Sequence, residues 1–190
     1  MAFSLYRETR VFTAGEAEVL SRVSPALQRD WRRRRLLEES SGRAWVRYTL
    51  SEVCILAMMK AFSEAGFSVK SSLTLAKSTA FLAETFLEML PGAVAFEGED
   101  LTDSEKQEFL AVQWEDRSSS RYVFSPLPDR DPTNELASAY TFKSLSEIED
   151  KFGEGWFYGL IFDLKAMAQD LHSRAPLPLV TYRVVKEANE

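Results

Sequence analysis

With one cysteine and one histidine in 190 residues, Cys54 and His172, the chain cannot build a disulfide framework within itself. It cannot assemble a Cys/His zinc site either. A lone thiol is what a reducing compartment permits. No apolar run approaches the roughly 18–20 residues that a membrane span requires. The opening Met1-Ala2-Phe3-Ser4-Leu5-Tyr6-Arg7 lacks the continuous apolar core of a signal peptide. The expectation is a cytoplasmic protein with no membrane partner. Also missing are a paired acid and base, a nucleophile elbow and a phosphate-cradling glycine loop. No catalytic residue, cofactor or metal is therefore expected. The carboxylates Glu97, Glu99, Asp100 and Asp103 read as a solvated acidic loop rather than a metal site, and Cys54 as a small buried apolar residue. His172 falls near a helix end, where a surface histidine suits the helix dipole.

The composition that remains, 45% hydrophobic and 27% charged, is that of a globular chain. Its net charge of −6 conceals a division. Residues 1–77 carry 13 Lys+Arg against 8 Asp+Glu, and residues 78–190 carry 10 against 21. The first part, at +5, suits an anionic partner, while the second, at −11, is repelled by one.

Thr13, with Glu16 three positions on, has the pattern of a capping box, and Ala17, Leu20 and Val23 give a short first helix its inward face. Ser24 is a second N-cap with Pro25 at the first helical position. The helix it opens carries Leu27 and Trp31 on one side and Gln28, Arg29, Arg32 and Arg33 elsewhere, ending at Leu36-Leu37. Glu38 to Arg43 is turn-rich and residues 44–48 alternate as a strand, together a compact hairpin. A helix capped by Thr49 or Ser51 runs to a glycine stop at Gly66. A second begins near Ser71 or Ser72 and ends at Leu90, before Pro91-Gly92. Beyond it, 93–96, Phe109–Trp114 and Arg121–Phe124 read as strands, the last two joined by a turn at 116–120. Residues 144–152 form a short acidic helix, 157–173 hold a further helix, and 179–185 a last strand. The aromatic group Phe152, Trp156, Phe157, Tyr158 and Phe162, with Trp114, reads as a domain core, with a ligand pocket or a dimer interface as alternatives.

Three ordered pieces carry a family resemblance. They are Phe12-Thr13-x-Gly15-Glu16-Ala17 leading to Val23-Ser24-Pro25; Arg29-x-Trp31-x-Arg33-x-x-Leu36-Leu37; and Arg47-Tyr48-Thr49-x-x-Glu52-Val53 followed by Ala65-Gly66-Phe67-Ser68. This N-terminal third resembles the winged helix-turn-helix DNA-binding domain of the MerR family of transcription regulators. The chain departs from the family pattern at Asp30-Trp31 and at Arg35, where the family usually has glycine. It has no cysteines beyond the dimerisation helix, and that helix is short.

The expected architecture is α+β in three parts: the winged helix-turn-helix over 1–70 that the resemblance implies, a linking and dimerisation helix over 71–91, and, read from the residues and matching no effector domain of the family, a small α+β domain over 92–190. The resemblance implies a bacterial, homodimeric transcription regulator bound to double-stranded DNA, with a contact to RNA polymerase in prospect. The candidate DNA-binding residues are Thr13, Ser24, Gln28, Arg29, Arg32, Arg33, Arg43, Arg47 and Tyr48. Gln28 and Arg29 are the base readers, since Gln pairs with adenine and Arg with guanine in the major groove. Arg43 and Arg47 flank a turn placed against the backbone or minor groove. Trp31 reads as a core residue holding the second helix to the first. The alternative function is an architectural or recombination-directing factor of the excisionase kind, which binds and bends DNA without sensing a ligand.

Overall fold

A computed structural model describes residues 3–37, 46–98, 101–115, 120–125, 139–152 and 159–186. The chain is mixed α+β. It begins with β1 (Phe3–Thr9) and β2 (Phe12–Thr13), followed by α1 (Ala14–Ser21) and α2 (Pro25–Arg33). Next come β3 (Arg47–Tyr48), α3 (Leu50–Glu64), α4 (Val69–Glu88), β4 (Val94–Gly98) and α5 (Asp103–Glu115). The remainder is β5 (Tyr122–Ser125), β6 (Tyr140–Phe142), α6 (Leu145–Phe152), β7 (Leu160–Asp163), α7 (Leu164–His172) and β8 (Val180–Lys186).

The helix starts follow from local chemistry. Thr13 and Glu16 close a reciprocal capping box on α1, and Thr49 and Glu52 repeat it on α3. Ser24 caps α2 with Pro25 in the first turn, and Ser68 caps α4. Gly66, at φ 97°, ends the α3 region in the left-handed conformation that glycine takes without steric cost.

Both ends of the chain meet in one sheet of order β1-β8-β4, with β1 antiparallel and β4 parallel to the central β8. The strand at 3–9 is not legible locally, because only Phe3, Leu5 and Tyr6 are apolar and its partner lies at the far end of the chain. A Cβ on Gly98 would stand 2.4 Å from the Val184 carbonyl oxygen, so the β4–β8 approach needs glycine there. On the helix side, Arg7 of β1 pairs with Glu84 at 2.6 Å and with Glu88, and Tyr182 donates to Glu88 at 3.2 Å. Burial works against the charge on Arg7, but the hydrogen bonds it donates to Glu88 and Glu84 outweigh it and raise the guanidinium pKa.

Burial, reinforced by the charge on Glu88, pushes the Tyr182 hydroxyl from 10.0 up to about 12. A raised folded-state pKa means that folding retains a proton which the unfolded tyrosine releases. This contribution is complete below pH 10 and is lost as pH rises towards about 12. Tyr182→Phe should flatten the decline of stability across that window, checked by denaturant midpoints at stepped alkaline pH. An unchanged slope would assign the decline to other groups.

Three local expectations are overturned. Phe109–Trp114, read as a strand, lies in α5. Thr102 and Glu105 cap that helix reciprocally, at 3.3 and 2.8 Å, and the hydrogen bonds from Thr102 hold the Glu105 carboxyl below its usual range. Phe109 then packs on Tyr182 and Phe96, at 4.9 and 6.1 Å between ring centres, so its aromatic character serves helix packing. The hairpin expected between 109–114 and 121–124 is absent, and β5 pairs instead with β6 and β7. Within the helix expected over 157–173, residues 160–163 are strand β7. Asp163 turns the chain there, its carboxylate accepting from Lys165 N and Ala166 N and gripped by Arg121 at 2.5 Å. Its hydrogen bonds to Arg121 hold that carboxyl below the ordinary range.

Apolar packing does not divide at 70 or at 91. One cluster runs from Phe12 through α1, α3, α4 and α7 to Tyr182. The helix expected to pair two subunits, α4, packs between α3 and α7, with Leu75, Ala76, Ala80, Leu82, Ala83 and Leu87 buried inside the chain. Its apolar face is therefore occupied before any partner arrives. A small second cluster joins Phe124, Phe142 and Ile148, with Phe152 against them. Phe162 instead packs on Phe62 at 4.4 Å, and Trp156, Phe157 and Tyr158 lie outside the described residues. The side chain of Trp114 is likewise outside them. Cys54 is buried and its thiol pKa is raised by that burial. His172 is half-buried, its Nε2 3.0 Å from the Pro91 carbonyl oxygen. No described helix is long and apolar enough to cross a membrane.

Candidate nucleic-acid interface

Three residues, Arg22 to Ser24, connect α1 to α2. Arg22 takes the left-handed conformation at φ 58° and closes α1 by donating its backbone N–H to Glu18. Val23 and Trp31 are both buried, so the inward side of α2 is fastened to α1.

Gln28 completes that fastening. It has no solvent exposure, and its Nε2 donates to the carbonyls of Ala14 and Val23 at 3.1 and 2.8 Å. Its Oε1 accepts from the Tyr48 hydroxyl at 2.9 Å. One amide thus ties together α1, the turn, α2 and β3, and three of its four hydrogen-bonding positions are used. Gln28 is not available to read a base edge, which corrects the expectation placed on it. Tyr48 is corrected likewise. It is buried, with its hydroxyl held between Gln28 and Arg32. A polar side chain at this position is read as surface from sequence, because nothing local shows that β3 will lie over it.

The other expected residues divide by environment. Thr13 and Ser24 spend their hydroxyls on the helix caps, accepting from Glu16 N at 3.2 Å and Leu27 N at 3.3 Å. Arg29, Arg33 and Arg47 are exposed, and Arg32 is half-buried. Arg43 lies outside the described residues, as does most of the expected hairpin. The described strand β3 pairs with β2, Phe12 opposite Tyr48 and Thr13 opposite Arg47.

Arg33 and Arg34 both reach Asp30, at 2.5 and 3.6 Å. Exposed pairs of this kind contribute at most about 1 kcal/mol, so they do not withhold either cation from an external anion. Arg29 and Arg47 have no ion pair among the described residues. Arg35 adopts φ 57°, the left-handed conformation that glycine accepts most readily.

Arg29, Arg32 and Arg47 line a hollow of about 240 Å³ together with Thr13 and Pro25, and no carboxylate lines it. Burial lowers the pKa of Arg32, with the charge of Arg29 adding to the effect and that of Glu52 opposing it. Arg32 is thus a partly desolvated cation whose described hydrogen bond goes to the neutral Tyr48 hydroxyl. Such a group gains from an anion that reaches it.

Compared with models of protein families and with curated proteins, the chain matches none.

Proposed function

We propose that this chain is a sequence-specific, double-stranded DNA-binding transcription regulator. Its head is a MerR-like winged helix-turn-helix, and it acts as a cytoplasmic homodimer. The observation that carries this reading is the two-sidedness of α2. Gln28 and Trp31 anchor one side, while Arg29 and Arg32 line, with Arg47, a hollow free of carboxylates, and Arg33 is exposed beyond it. A helix held this rigidly, with Arg29 free of any ion pair among the described residues and Arg33 held only by an exposed pair to Asp30, suits the phosphates and base edges of a duplex groove. Arg29, near the start of the helix, takes the role of base reader through guanine O6 and N7. Arg33 and Arg47 take phosphates. Residues 78–190, at −11, stay clear of the duplex. Two heads supply the contact area that a single small module lacks, and their pairing uses a surface other than the covered face of α4.

The test is selection of bound sequences from random duplex DNA at two salt concentrations. An enriched palindrome with a steep salt dependence is the expected result. Arg29→Ala should relax preference at one base pair, by about 1–3 kcal/mol. Arg33→Ala should weaken all sequences alike and reduce the salt slope by about one. Small, equal effects from both would remove α2 as the reading helix. Failure of a folded, dimeric protein to enrich any sequence would end the proposal, and bending of the bound duplex without preference would favour the architectural alternative.

A further inference from the structure

Behind α2 a second hollow of about 360 Å³ opens between its C-terminal turn, β3, α3 and α4. That volume lies in the lower part of the range for small-molecule sites, roughly 300–1,000 Å³. Its wall is aliphatic: Leu36, Leu37, Val46 and Ile55 line it, and the chain leaves each only half-buried. Three cations, Arg32, Arg47 and Lys77, stand here against a single acid, Glu52. Glu52 is already engaged, its Oε2 accepting from the backbone N–H and the hydroxyl of Thr49 at 2.6 and 2.9 Å in the α3 cap. Neither Arg47 nor Lys77 has a carboxylate partner among the described residues. Among the described residues Arg32 holds only the Tyr48 phenol, with its guanidinium carbon 5.2 Å from the centre of that ring.

An apolar wall by itself would suit a neutral hydrophobic occupant, and a cluster of cations by itself would suit a bare inorganic anion. The two together select a molecule with both parts. We propose that this hollow binds a small amphipathic anion, a carboxylate on an aliphatic or aromatic body, with Lys77 and Arg32 as counter-ions and Leu36, Leu37 and Ile55 against the body. Arg32 lines both hollows. An occupant here therefore draws on the same guanidinium that faces the duplex side, and lowers duplex affinity. That coupling rests on the DNA-binding reading, whereas the site itself does not.

The site is tested by calorimetric titration of the full chain with decanoate, decanol and acetate, without nucleic acid. Decanoate should bind saturably, decanol about tenfold more weakly for want of the charge-assisted contact, and acetate not measurably. Lys77 is exposed, so Lys77→Met should fold normally and narrow the preference for decanoate over decanol about threefold, Arg32 holding the remainder. The site is overturned by absence of saturable decanoate binding, by equal binding of decanol, or by an unchanged preference in Lys77→Met. Saturating decanoate should then weaken binding to the selected duplex. An undiminished duplex affinity overturns the coupling and leaves the site standing, so the two fail separately.

Discussion

Phe62→Ala should lower the stability of the whole chain by about 3–5 kcal/mol, the usual cost of truncating a buried phenylalanine, and in a single transition. Phe62 has no solvent exposure and sits where both parts of the chain meet. Its ring packs edge-on against Phe67, at 5.8 Å, and against Phe162 of β7, at 4.4 Å. One cluster connects these residues to α1, α4, α7 and β8. Its loss is therefore felt at once by segments close in sequence and by segments a hundred residues away. Denaturant melts followed by far-ultraviolet circular dichroism, together with amide exchange of α3 and β8, check this. Two separate transitions, with only one displaced by the substitution, would establish independent units over 1–70 and 92–190.

Gln28→Ala should be nearly as costly, at roughly 2–4 kcal/mol. Three hydrogen bonds are lost at a net of about 1 kcal/mol each, and a buried side chain is truncated. Gln28→Leu, which preserves most of the volume, should recover little. It leaves the Ala14 and Val23 carbonyls without their donor and the Tyr48 hydroxyl without its acceptor. A side chain that reads bases behaves in the opposite manner. Its replacement shifts stability by no more than about 0.5 kcal/mol and changes sequence preference. Thermal melts of both variants, set beside duplex selection with whatever protein remains folded, separate the roles. A stable Gln28→Ala protein with altered base preference would restore Gln28 to the interface.

These two residues mark how far the sequence could be read. The core role of Trp31 was legible from its large aromatic side chain in a short helix, but the face was assigned wrongly: Leu27, expected beside it, is exposed, and Gln28 is buried instead. Gln28 was misplaced because its neighbours in sequence, Arg29 and the arginines that follow, are those of a solvated face. Its burial depends on β3, which returns across α2 some twenty residues later. Arg29, Arg33 and Arg47 are exposed as expected. The contribution of Lys77 to the hollow behind α2 could not be inferred, since α4 reaches that place only through its packing on α3.

Capping boxes at Thr13–Glu16 and Thr49–Glu52, the Ser24-Pro25 start and the Gly66 stop were determined by the sequence itself. Each is an exchange of hydrogen bonds, or a φ preference, completed within about four residues. Tertiary structure decided which apolar faces are covered, that β1 and β8 close a sheet between the two ends, and that α4 lies inside the subunit. It also decided that Phe109 belongs to a helix and Leu160 to a strand. Burial and strand pairing depend on what another segment brings to the same place, and no local pattern contains that information.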